Sequence, residues 1–202
     1  MFLFLLSLFL LIGGAQSNPQ PKLPPAVDLV APDYQYAQRV DSLRDFDFTH
    51  FDFVIFDIDG KVQRSVRLKN GAHHERQDFG DSRISLAPPR FFGATGSDPN
   101  YALLDGNETD SGGDTKITGI VQVITVTARH MHVLQQFTFD SQAPGAGVTF
   151  DPKSGSLIIR ARSKDGTPVC CPKFMDVVHF HWNGRKFEQQ SVQIQDVTPL
   201  GD

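Results

Sequence analysis

Short turn signals divide most of this chain into β-prone runs, and that punctuation limits the folds open to it. Asp59-Gly60, Asn70-Gly71, Asp105-Gly106, Ser154-Gly155, Asp165-Gly166 and Asn183-Gly184 recur between the runs FVIFD, VQRSVRL, ITGIVQVITVTARHMHVLQQFTF, GVTF, SLIIRARS, MDVVHFHW and KFEQQSVQI. Asn-Gly and Asp-Gly tolerate the positive φ angles that tight hairpins demand, so each dipeptide predicts a reversal of the chain. About seven strands joined mainly by hairpins predict a mainly β fold, a single antiparallel β-sheet or sandwich. One short N-terminal helix is expected as well. Asp33 can cap it, and Tyr36, Val40 and Leu43 follow at helical spacing as far as Arg44. The Gly- and Asp-rich stretch from Gly93 to Thr115 reads as two loops around a short strand at Tyr101–Leu104. No repeat of fixed period is visible, which argues against a propeller or a solenoid.

The ends of the chain are of a different character. Residues 1–14, MFLFLLSLFLLIGG, are apolar apart from Ser7, and Ala15 and Ser17 place small residues before a cut at Asn18. This is the pattern of a secretory signal over residues 1–17, too short for a comfortable membrane span. The Pro-rich residues 18–32 read as an extended linker, and 33–202 as one β-rich domain. The expected location is therefore extracytoplasmic, periplasmic or secreted, with no transmembrane segment after cleavage. No Cys stands at the cleavage site, so no lipid anchor is expected.

A net charge of −4 gives no electrostatic reason to expect nucleic acid or an anionic membrane as partner. The chain carries 17 Phe, and these rings are the expected source of its core.

Four features suggest chemistry. First, FVIFDIDGK (53–61) resembles the opening motif of haloacid-dehalogenase-type phosphatases, in which the first Asp attacks phosphate and the second handles protons beside Mg²⁺. Asp57 and Asp59 would take those roles, but Lys61 replaces the family's Thr and the alternating helices are absent. The competing reading is a hairpin turning at Asp59-Gly60.

Second, four of the seven histidines form two H-x-H pairs, His130/His132 and His179/His181. Random placement predicts only about 0.2 such pairs. On a strand, residues i and i+2 share a face, so each pair offers two imidazoles for Zn²⁺ or another transition metal if the pairs converge. Third, Asp105, Asn107 and Thr109 alternate as in a Ca²⁺ loop, but Asp110 and Lys116 stand where the turning Gly and closing Glu belong, favouring a solvated acidic loop. Fourth, the only cysteines are adjacent, Cys170 and Cys171, followed by Pro172. A vicinal disulfide, two buried thiols or an intermolecular link are the choices. In an oxidising compartment the two are expected to be joined to each other.

RLKNG (67–71), GSLIIRARS (155–163), VCCPKF (169–174) and HWNGRKF (181–187) together resemble a group of small exported bacterial proteins. These carry a CCP element followed by a W-[ND]-G-x-x-F hairpin and are akin to the LppP/LprE-type lipoproteins of mycobacteria. The resemblance implies a bacterial origin and an envelope location, and no reaction. A non-catalytic binding or interaction module for an envelope protein or ligand is the leading expectation, with no cofactor required. A metal-dependent hydrolase using the paired histidines is the alternative, and a phosphatase at Asp57/Asp59 ranks below it.

Overall fold

The structure, a computed structural model, describes residues 26–78, 80–93, 99–112, 115–164 and 172–197. The region expected to be a signal peptide, residues 1–17, and residues 18–25 of the linker lie outside it, as do Asp165-Gly166, Cys170 and Cys171. Among the described residues there are strands and no helix, and every ladder is antiparallel. The chain is mainly β.

The centre is an eight-stranded sheet. Its spine is β1 (Val27–Val30), β10 (His130–Asp140), β9 (Lys116–Thr127), β8 (Tyr101–Asp110), β6 (Gly80–Leu86) and β5 (Ala72–Gln77). Two further strands join it: β2 (Tyr34–Arg39) pairs with β10, and β7 (Arg90–Phe92) pairs with β8. A hairpin of β3 (Asp52–Phe56) and β4 (Val62–Arg67) packs on one face. A second sheet, β11 (Gly147–Asp151), β12 (Ser156–Arg162), β13 (Phe174–Trp182) and β14 (Phe187–Asp196), packs on the other.

Burial of both faces explains the sequence of the middle strands. In β9, Ile120 and Ile124 pack toward the β3–β4 hairpin, while Val121 and Val123 pack toward the four-stranded sheet. In β8, Ala102 and Leu104 divide from Leu103 in the same way. Such strands have no solvent face and so show no polar alternation. The phenylalanines fill both interfaces: Phe48, Phe51 and Phe53 on the hairpin side, Phe137, Phe150, Phe180 and Phe187 on the other.

The residues expected to form a helix are strand β2 and a following loop. Tyr34–Arg39 pairs with His130–Val133, so its backbone groups are satisfied by the edge of β10 rather than within the segment. Tyr34 and Tyr36 meet edge to face at 5.1 Å, and Val40 and Leu43 reach the same core from the loop. Burial pushes the Tyr36 phenol far above its usual range. The expected linker also ends early, because Val27–Val30 forms a ladder with Gln136–Phe139. The segment expected as two loops around Tyr101–Leu104 holds the ten-residue β8.

Two neighbouring glutamines of β10 join the layers. Gln136 grips Phe56 of β3, receiving its N–H at 3.1 Å and donating to its carbonyl at 2.8 Å. Gln135 does the same for Phe187 of β14, donating to its carbonyl at 3.0 Å and receiving its N–H at 2.6 Å. A bulge between Val133 and Gln135 accompanies this pair, which serves opposite faces of the strand. Gln122 extends the network, donating to Val54 O at 2.6 Å and to Gln136 Oε1 at 2.9 Å.

Candidate functional site

Asp57 follows β3 and holds the turn there. Its Oδ1 accepts the N–H groups of Asp59 and Lys61 at 3.0 and 2.9 Å, and its backbone carbonyl accepts Gly60 N–H at 3.0 Å. Gly60 sits at φ 77°, where a side chain would be strained. The same device recurs at Asp151, which binds Lys153 N–H and the Ser154 hydroxyl, and at Asn183, which binds Arg185 and Lys186 N–H. The Ser154 hydroxyl, with the Lys153 amide, holds the Asp151 carboxyl below the usual range. Asp57 thus has the hydrogen bonding of a turn residue. Asp59 points into solvent, 3.9 Å from Lys61.

Beneath this turn a cleft of about 290 Å³ opens between the hairpin and the central sheet. Asp57 and Ile58 form its rim, Val30 and Ile120 its apolar walls, and Gln136, Thr118 and Thr138 its polar surface. The Thr138 hydroxyl accepts from Gln136 Nε2 at 3.2 Å, which fixes that amide. Three carboxylates border the cleft and two are neutralised: Glu108 by Arg64 at 2.9 Å, Asp28 by Lys164 at 3.1 Å. Lys116 also borders it. Ile58 on the rim is 74% exposed, an unusual position for so large an apolar side chain.

The histidine pairs do not converge. In β13, Val178, Phe180 and Trp182 face the core, so His179 and His181 point away from the central sheet. In β10, Met131 and Val133 belong to the hairpin-side core, which puts His130 and His132 on the opposite face. His130 is engaged by its Nδ1, 3.2 Å from the carbonyl of Tyr36. The β13–β12 sheet backbone lies between the pairs, and the expected four-histidine metal site is not assembled. Among the described residues, no group of three or more His, Cys, Asp or Glu could hold a metal ion.

The expected acidic loop is strand as far as Asp110. Asp105, Asn107 and Thr109 alternate along one face of β8 instead of encircling a point. Asp105 pairs with Arg90 at 3.1 Å, and Asn107 accepts from Ser141 at 3.3 Å. Burial pushes the Asp105 carboxyl up, and Arg90 only partly offsets it. Gly106, expected in a turn, lies inside β8. A side chain there would run into Leu86 and the carbonyl of Ser85.

The resembling WNG element is a hairpin with an aromatic base. Trp182 meets Tyr101 at 4.6 Å and both Phe92 and Phe187 at 5.1 Å, and Tyr101 donates to Gly184 O at 3.2 Å. These contacts make it a packing element between the two sheets. No protein-family model, no curated protein and no solved structure matches the chain.

Proposed function

We propose that this is an extracytoplasmic, non-catalytic binding module of the bacterial cell envelope, receiving a small hydroxyl-rich ligand in the cleft under the Asp57 turn. The apolar leader and the CCP and WNG elements support the location. The cleft supports the activity. Its hydroxyl groups, Thr118 and Thr138, both donate and accept, as a hydroxylated ligand requires. Val30 and the exposed Ile58 offer apolar surface to the carbon face of a sugar-like ring. At about 290 Å³ the space is near the lower end of the roughly 300–1,000 Å³ of ordinary ligand sites. The ligand comes from the envelope, and neither nucleic acid nor a cofactor enters the reading.

The test is a titration of the isotope-labelled mature chain with soluble envelope saccharides, alongside a Mg²⁺-dependent phosphatase assay. Saturable shifts at Asp57, Ile58, Thr118 and Thr138 are expected, with no phosphate release. Asp57→Asn keeps one acceptor for the turn and is expected to cost less than about 1 kcal/mol. Phosphatase activity abolished by that substitution, or shifts confined to other surfaces, would overturn the proposal.

A further inference from the structure

Positive charge is unevenly distributed in this acidic chain. Residues 61–90 hold seven Lys or Arg against three Asp or Glu, whereas the remainder holds twelve against twenty. Part of the surplus is matched: Arg64 by Glu108 and Arg90 by Asp105. Lys61 stands beside Asp59 at the β3–β4 turn, and Arg67, Lys69 and Arg83 gather where β4 turns into β5. Lys69 and Ala72 bridge across that turn, and Asn70 and Gly71 at φ 53° and 73° close it. The tight reversal brings Arg67 and Lys69 beside His73 and His74, and His73 Nδ1 lies 3.1 Å from the Arg67 carbonyl. Strand pairing adds the last member, because Arg83 stands directly opposite His74.

A concave surface of about 730 Å³ is lined by Arg67, Lys69, Ala72, His73, His74 and Arg83. It shares no residue with the Asp57 cleft. Lys69 and Arg83 have no acidic partner among the described residues. Arg67 stands 3.4 Å from Asp52, but both side chains are more than half exposed, so this pair is weak and exchangeable. Glu75 and Asp81 touch only the imidazoles, at 4.0 and 3.7 Å. Fixed cations closer together than the roughly 8–10 Å screening length repel one another. A surface serving only solubility intersperses its signs.

We propose that this surface binds ligands bearing a phosphate group. Two guanidinium forks match phosphate oxygens in bidentate fashion, and an ammonium adds a point charge. A tetrahedral oxyanion offers more oxygens to the three donors lining this surface than a flat carboxylate does. The phosphate can belong to a soluble ester or to a lipid headgroup.

The experiment titrates the labelled mature chain with glycerol 3-phosphate and inorganic phosphate in one arm. In the other it uses phosphatidylglycerol vesicles, with phosphatidylcholine vesicles as reference. Saturable shifts at the His73, His74 and Arg83 amides are expected in at least one arm, and the arm that responds identifies the source. The double variant Lys69→Gln/Arg83→Gln is expected to bind about tenfold more weakly, since two charge-assisted contacts are lost. Its thermal midpoint should stay within about 2 °C of the parent, because exposed substitutions cost little. Absence of saturable shifts in both arms, or undiminished binding by the folded double variant, would overturn the proposal.

Discussion

Gln136→Leu tests whether the glutamine clasp holds the β3–β4 hairpin to the central sheet. Leucine nearly conserves volume, so the substitution removes hydrogen bonds without leaving a large cavity. It strands the Phe56 N–H and carbonyl, on a residue only 3% exposed. A buried unpaired group costs about 1–3 kcal/mol, so two cost about 2–6 kcal/mol. Gln122 keeps its bond to Val54 O but loses Gln136 Oε1 as the acceptor of its other N–H, a further cost of about 1 kcal/mol. Greater apolar burial by leucine returns about 1 kcal/mol, leaving a net loss near 4 kcal/mol. In a domain of this size that lowers the thermal midpoint by about 8–16 °C. Urea unfolding gives the free energy, and hydrogen exchange at the Phe56 amide locates it. Gln193→Leu, on the exposed β14, serves as control and should stay within about 0.5 kcal/mol. A loss below about 1 kcal/mol for Gln136→Leu, with Phe56 protection unchanged, would refute the reasoning.

Gly119→Ala should cost about 1–3 kcal/mol, because a Cβ there runs into the ring of buried Phe139. Adding Phe139→Leu should recover part of that loss, and strict additivity in the double-mutant cycle would contradict the clash. Asp105 predicts a pH effect whose sign is fixed by its raised carboxyl. Its contribution is fully present below the ordinary carboxylate range near pH 3.9 and is lost as pH rises through the folded value. Asp105→Asn should therefore gain stability relative to the parent on going from acid to neutral pH, as read by thermal midpoints, and a constant difference would contradict the assignment.

The turns were the most legible part of the fold. Gly60, Gly71, Gly155 and Gly184 all occupy positive φ at hairpins, as the Asx-Gly and Ser-Gly pairs predict. The β9–β10 reversal was hidden because it turns on Ala128 and Arg129, at φ 51° and 65°, with no glycine to announce it. The spacing of Tyr36, Val40 and Leu43 does mark buried residues, but a strand followed by a loop satisfies it as well as a helix does. Local pattern cannot distinguish these, since the deciding partner is β10, about a hundred residues away. The histidine pairs illustrate the same limit. Period two gives each pair a common face, yet which face is buried depends on how the sheets stack. In the cleft, Asp57 is legible as a turn residue, whereas Gln136, Thr118 and Thr138 belong to no local motif. The adjacent glutamines in VLQQFTF were the available signal, polar residues inside an otherwise apolar run.

The position of β1 has a consequence for the order in which the molecule can be completed. It is the earliest described strand in the chain, yet its ladder partners are Gln136 to Phe139, and the N–H of Ala26 is received by Asp176. A chain emerging N-terminus first cannot seat this strand until residue 139 is available, nor fasten its leading end until residue 176 follows. The hairpins β3–β4 and β5–β6 can close long before that, from neighbours in sequence. Closure of the central sheet therefore waits on contacts of very long range, the kind that slow folding most. During that wait the unpaired β1 and β2 are open to any other strand, including one from a second copy.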